Sequence, residues 1–277
     1  MFRWIKDRLS SREPVRDVHA LAMGLARPSV HLVASRHPSR SHIGGEPTVD
    51  VGDRSPSKDG KPLPLIAQLD LQEMQEACPV AWLPGSGSLL FYYDHVAQDA
   101  WGFDPKDKAS FAVVYHEQLA SPSLTGTGGG DDSELPYQAV KPVAKPSFPS
   151  ADRPQVAALD LNDTETDRWD EDIHQSFHSL PKHQLLGFPS TVQGDGMELE
   201  CQLVSNGIYC GNSSGFEDPR AAALAPGEKD WRLLLQVDTD EQLGLMWGDC
   251  GLIYFWIREQ DAAARRFDRA WVILQCS

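Results

Sequence analysis

Cysteine is sparse in this chain and shows no pairing. The 277 residues include five, Cys78, Cys201, Cys210, Cys250 and Cys276. An odd count with no Cys-x-x-Cys spacing excludes a disulfide framework and points to reduced, mostly buried thiols in a reducing compartment. Long apolar runs are missing as well. The longest, Leu252 to Ile257, is far short of the roughly 20 residues that cross a bilayer. The opening Met1-Phe-Arg-Trp-Ile-Lys-Asp-Arg-Leu9 spreads charges where a signal peptide has an apolar stretch. A cytoplasmic protein with no membrane partner is therefore expected. Positive charge is scarce, with 25 Lys and Arg against 40 Asp and Glu and a net charge of -15. Phosphate contacts need Lys and Arg in numbers, so direct nucleic-acid binding is not expected.

Recognisable reaction machinery is the last absence. No Gly-x-x-x-x-Gly-Lys occurs, and no Ser, Cys or Lys lies in a nucleophile elbow. The reading is a non-enzyme that carries no cofactor. What remains, 41% hydrophobic and 23% charged residues, is the composition of a globular chain able to bury its own core.

The charge is unevenly spread. Residues 1–40 hold Arg3, Lys6, Arg8, Arg12, Arg16, Arg27, Arg36 and Arg40 against Asp7, Glu13 and Asp17, a surplus of five that leaves -20 on the rest. The densest acidic stretch runs from Asp160 to Asp172, with seven carboxylates and one Arg168. Such a run is either a solvated helix face or a docking face for a basic protein.

Spacing gives the elements. Apolar residues at helical intervals predict helix through the N-terminal region, broken around Pro14 and ended by Pro28, with a short strand at Val30 to Ala34. Six short apolar runs read as strands: Leu65 to Leu71, Leu89 to Tyr93, Phe111 to Tyr115, Trp231 to Val237, Leu252 to Ile257 and Trp271 to Leu274. Ser121 to Glu134 is a Gly-rich loop, and Pro142, Pro146, Pro149 and Pro154 mark an extended segment. Thr164 with Asp167 predicts the cap of an acidic helix striped by Trp169, Ile173, Phe177 and Leu180, which Pro181 stops.

The two sets of strands repeat. Leu65-Ile-Ala-Gln-Leu-Asp70-Leu-Gln-Glu73 lies over Leu233-Leu-Leu-Gln-Val-Asp238-Thr-Asp-Glu241, matching Gln68 to Gln236, Asp70 to Asp238 and Glu73 to Glu241, and each copy leads to an aromatic strand. This predicts a sheet-rich α+β protein, predominantly antiparallel and internally duplicated. A basic helical segment, 1–40, precedes one domain, 41–277. Related halves at about 41–120 and 190–277 flank the loop and acidic helix of 121–189.

Several stretches resemble one family, the YwqG-like proteins of bacteria. They are Ser41-His-Ile-Gly-Gly-Glu-Pro47, Gly60-Lys-Pro-Leu-Pro-Leu-Ile-Ala-Gln-Leu-Asp-Leu71, Leu83-Pro-Gly-Ser-Gly87, His183-Gln-Leu-Leu-Gly187-Phe-Pro189 with Gln193, and Trp247-Gly-Asp249 before the last aromatic strand. The resemblance spans 41–276. It implies an intracellular, sheet-rich α+β fold with no established reaction. It also implies that some members serve as immunity proteins beside secreted toxins of interbacterial competition, type VI secretion among the routes.

The functional expectations follow from charge and resemblance together. The first is an immunity protein that neutralises a cognate basic toxin, a nuclease. Its contact residues are Asp167, Trp169, Asp170, Glu171 and Asp172, with Asp238, Asp240 and Glu241 as a second acidic group. The alternative is an enzyme or small-molecule binder with a cleft between the halves, containing Asp70, Asp238, Trp247 and Asp249. In that reading Asp70 and Asp238 pair for acid-base work; each equally suits a strand-end cap. Asp170, His174 and His178 recur at four-residue intervals with His183 beyond them, an acceptable ligand spacing that lacks an identified fourth ligand, so no metal is expected.

Overall fold

The computed structural model describes residues 16–51, 55–121, 135–171 and 181–277. Ten strands form one antiparallel sheet: β1 (Arg27–Ala34), β2 (His42–Ile43), β5 (Leu65–Asp70), β6 (Ser88–Tyr93), β7 (Phe111–His116), β8 (Gln138–Ser147), β9 (Gln184–Leu185), β10 (Trp231–Asp238), β11 (Leu252–Arg258) and β12 (Trp271–Gln275). A separate hairpin joins β3 (Ser57–Lys58) to β4 (Lys61–Pro62). The sheet order is β12-β11-β10-β9-β1-β8-β2-β5-β6-β7. All six strands expected from apolar runs are present.

That order reads alike from both ends and bears out the duplication. The first copy contributes β1, β2, β5, β6 and β7, and the second β8, β9, β10, β11 and β12. The opening strands are exchanged: β1 lies between β8 and β9 of the second copy, and β8 lies between β1 and β2 of the first. Register shifts fall at equivalent places, between Leu65 and Ala67 and between Leu233 and Leu235. The repeat thus draws in strands from segments that the sequence assigns to the N-terminal extension and the central loop.

Pro142 and Pro146 explain why β8 reads as a mere extended segment. Proline cannot donate to a ladder and is ordinarily confined to edges. The Val140 N–H points to the β2 side, where it meets Ser41 O. By strand alternation, Pro142 and Pro146 point the same way, and β2 pairs only with Gln138 and Ala139. Their missing donors cost nothing there, while β1 covers the other side of β8 for eight residues.

The sheet curls until its ends meet. Phe111 of β7 contacts Trp271 of β12 edge to face with centroids 5.4 Å apart, and Phe91 meets Phe255 in the same manner at 5.2 Å. The strand Leu274 N–H bonds Trp101 O, so the segment after β6 completes the β12 edge. Gly102, at φ +88°, passes so close that a Cβ there would collide with the Val272 carbonyl. The main core fills the interior with Leu69, Leu89, Phe91, Leu235, Ile253 and Phe255, all unexposed.

Helices cover the outside. α1 (Val18–Leu25) begins at Asp17, whose carboxylate caps Ala20 N–H. α2 (Leu71–Ala77) follows β5, and α3 (Pro154–Ala157) precedes α4 (Asp163–Arg168). α5 (Met197–Val204), α6 (Ala221–Leu224) and α7 (Glu259–Ala263) belong to the second copy. α5 turns Met197, Cys201, Leu203 and Val204 inward, and its Gln202 accepts from Trp231 Nε1 at 2.9 Å.

The same helix carries a half-buried carboxylate, Glu200, whose Oε2 has no hydrogen-bond partner. Burial, helped by nearby Glu198, pushes its carboxyl up to about 6. The folded chain therefore holds a proton that the unfolded chain, titrating near 4.3, has already released. Between those values stability falls as pH rises, and the ionised side chain at pH 7 costs roughly 2 kcal/mol. Glu200→Gln is expected to raise stability at pH 7 by about 1–2 kcal/mol and to flatten that slope, as read from urea unfolding at pH 4.5 and 7. An unchanged midpoint at pH 7 would refute the assignment.

Candidate functional site

The resemblance motifs occupy equivalent turns in the two copies. Arg40-Ser41-His42-Ile43-Gly44-Gly45 corresponds to Lys182-His183-Gln184-Leu185-Leu186-Gly187, and positions 44, 45, 186 and 187 all have positive φ. Each turn hangs on a buried glutamine of the neighbouring strand. Gln68 Oε1 accepts from Thr48 N–H at 2.8 Å, and its Nε2 donates to Arg40 O at 3.3 Å. Gln236 Oε1 accepts from Ser190 N–H at 3.0 Å, and its Nε2 donates to Lys182 O at 2.9 Å. The shared spacing in sequence thus encodes one structural device used twice.

Beside each glutamine lies the repeated aspartate. In the first copy Asp70 caps α2 by accepting Glu73 N–H at 3.0 Å and pairs with Arg40 Nε at 3.1 Å. Ser41 Oγ accepts Asp70 N–H and donates to Glu73 Oε2 at 2.6 Å. In the second copy His183 takes the place of Ser41: its Nδ1 accepts Asp238 N–H at 3.1 Å. Burial holds the imidazole below its usual range, against the opposing pull of Asp240 and Asp238. Neutral His183 therefore presents Nε2–H to Asp240 Oδ2, 3.4 Å away. Asp238 Oδ2 accepts Lys182 N–H at 2.8 Å.

These bonds decide between the two readings of the aspartates. Four strands separate β5 from β10 in the sheet, and each aspartate is engaged within its own copy. Asp70 and Asp238 act as strand-end ties to backbone. Trp247 is fully buried against Tyr93, at a centroid distance of 5.7 Å, whereas Asp249 is exposed on the following turn. The expected cleft containing Asp70, Asp238, Trp247 and Asp249 is therefore corrected: the four residues do not share a cavity.

A cleft lies elsewhere, on the outer face of the first copy. It encloses about 950 Å³ and is lined by Pro47, Lys58, Leu65, Tyr92, Asp94 and Asp99, among others. Lys58 Nζ bridges Asp94 Oδ2 at 3.1 Å and Asp99 Oδ2 at 2.6 Å. Sequence reading missed this group because the lysine comes from a short hairpin and its partners from a turn some 40 residues on. No periodic signal connects such positions.

The acidic stretch is a short helix with two unlike faces. Asn162 and Glu165 form the capping box of α4 in place of the expected Thr164 and Asp167. One face is anchored: Arg16 Nη2 reaches Glu165 Oε2 at 2.6 Å, and its guanidinium also donates to Leu159 O and Asp160 O. Those bonds hold the Glu165 carboxyl well below the usual carboxylate range. Trp169 is wholly buried with Val18, Ala22, Phe148 and Val156, and its Nε1 donates to Pro149 O at 2.9 Å. Its expected role as an exposed contact is therefore corrected, because the short helix must bury an apolar residue to dock at all. Away from those anchors, Asp163 and Asp167 of α4 are exposed, as is Glu171 in the turn after it, and Asp170 of that turn is half-buried. In the second acidic group Asp240 is half-buried and Glu241 exposed.

Asp172, His174 and His178 lie outside the described residues, as do Ile173, Phe177 and Leu180 of the expected stripe. Among the described residues no group of three His, Cys, Asp or Glu side chains is arranged to hold a metal ion, and no helix is long and apolar enough to cross a membrane.

Comparison with curated proteins finds no match. Comparison with family models matches residues 41–276 to a domain of unknown function, DUF1963, to which YwqG-like proteins belong. The match begins at the first glutamine-anchored turn and ends within one residue of the close of β12, so it takes in the second copy and all strands of the first except β1, and the chain belongs to the DUF1963 family.

Proposed function

We propose that this protein is a cytoplasmic immunity protein, which binds and neutralises a cognate secreted toxin whose active domain is a basic nuclease. The carrying observation is the exposed carboxylates of α4 and of the turn that follows it. Asp163, Asp167 and Glu171 follow one another at four-residue spacing, and among the described residues none of them makes an ion pair. Like charges at that spacing destabilise a helix by a few tenths of a kcal/mol each. The fold tolerates them because Glu165 and Trp169 anchor the opposite face. A nuclease cleft is cationic because it binds phosphates, and a fixed row of carboxylates competes for it with electrostatically steered association. The likeness to YwqG-like proteins supports the same reading. In this reading the protein acts by binding, not by catalysis.

The test uses basic nuclease domains of secreted antibacterial toxins as binding probes. Reversing Asp163, Asp167 and Glu171 to Lys is expected to slow association about 10- to 100-fold and to abolish protection of cells expressing the toxin. The dissociation rate should change much less. Raising salt from about 0.05 to 0.5 M shortens the Debye length from roughly 14 to 4 Å and should slow association of the unaltered protein too. Full protection by the triple variant would remove this face from the function.

A further inference from the structure

Two turns that are far apart in sequence are locked together at one end of the curled sheet. Gln98 reaches across from the turn after β6: its Nε2 donates to Met246 O at 2.7 Å, and its Oε1 accepts Gly248 N–H at 2.9 Å. The second turn is braced by the Asp240–Leu245 bridge and by Thr239 Oγ1, which accepts Trp247 N–H at 3.2 Å. On this rigid base stand Val96, 63% exposed, and Met246, 42% exposed. They are two of the seven large apolar side chains left exposed among the described residues, and Val96 is the most exposed of them.

The charge around this pair is mainly negative. Residues 94–99 and 238–250 contain Asp94, Asp99, Asp238, Asp240, Glu241 and Asp249 and neither Lys nor Arg. Lys58 and Lys61 come in from outside along the cleft that Val96 also lines, and Lys58 is already held by Asp94 and Asp99. Asp249 and Glu241 are exposed, and Asp99 is 56% exposed. An apolar centre with a charged rim, fixed on braced turns, is the anatomy of a protein-binding surface whose shape exists before the partner arrives.

We infer that the Val96–Met246 surface docks a cationic protein segment in which Lys or Arg flanks an aliphatic or aromatic side chain. The apolar residue of the partner packs on Val96 and Met246, and its cations meet the rim carboxylates. The inference deepens the proposed binding of a basic toxin and rests on it. It adds a second contact surface, served by the turn that carries Trp247, Gly248 and Asp249.

Selection of a random 12-residue peptide library on the full-length protein tests it. The expected winners carry Lys or Arg within two residues of an aliphatic or aromatic residue. Their affinity should fall at least tenfold on the Val96→Asp, Met246→Asp double variant, which keeps the negative field and removes the apolar centre. Both residues are exposed, so the melting temperature of that variant should stay within about 2 °C of the parent. Retained affinity on the double variant, with loss only on the Asp163, Asp167 and Glu171 reversal, overturns this surface and leaves the α4 reading standing. Enrichment of neutral or acidic peptides, or of none, overturns both.

Discussion

Gln236→Leu is expected to cost about 3 kcal/mol of stability, because it removes the amide that the buried Ser190 N–H and the part-buried Lys182 carbonyl both use. In a chain of this size that is a fall of roughly 6–12 °C in melting temperature. Gln68→Leu should cost about as much, since Gln68 ties Thr48 and Arg40 in the same manner. Gln242→Leu, exposed on the surface, should change stability by less than about 0.5 kcal/mol. Thermal unfolding of the three variants measures all of this. If Gln68→Leu and Gln236→Leu were as mild as Gln242→Leu, these amides would not be the devices that hold the two turns.

Trp169→Ala should be at least as severe, at about 3–5 kcal/mol, because it empties the centre of the small cluster joining α1 to α4. The loss should be local first. α1 meets that cluster through Val18 and Ala22, so its amides are expected to exchange faster in the variant while those of β10 and β11 keep their protection. Trp169→Phe retains most of the packing and loses only the Nε1 bond to Pro149 O, so its cost should be near 1–2 kcal/mol. An unchanged melting temperature in Trp169→Ala, together with faster dissociation of a bound toxin, would restore Trp169 to the surface role that its place in an acidic stretch suggests.

Trp169 also shows what spacing can and cannot tell. A helical stripe identifies the residue as facing something, and the same periodicity serves a core contact or a partner. Only the position of α1 settles which, and that position depends on Arg16 reaching Glu165 across 149 residues of chain. The two glutamines are the opposite case. The pattern Leu-x-x-Gln-x-Asp-x-x-Glu fixes which side chains of β5 and β10 share a face, so the duplication was legible before any contact was known. What the glutamines bind was not legible, because the turns they hold are separated from them by 20 residues in one copy and by 46 in the other.

The acidic candidates divide in the same way. Charge counting finds Asp167, Glu171, Glu241 and Asp249 as readily as Asp70 and Asp238, yet the first four are exposed and the last two are buried ties to backbone. A carboxylate at a strand end is recruited by whatever donor the fold brings to it. For Asp70 this is the first turn of α2, and for Asp238 the chain entering β9 at Lys182.

By itself the sequence determined the six apolar strands, their antiparallel and sheet-rich class and the internal repeat. These follow from local alternation and from similarity between segments, both of which are written in consecutive residues. Tertiary structure alone decided the exchange of β1 and β8, the closure of the curled sheet through Gly102 and Trp101, and the pairing of the 94–99 turn with the Met246 turn. Each of these depends on which distant backbone groups meet. The free energy of such meetings comes from burying surfaces and satisfying donors across the whole chain, and no short stretch of it records that sum.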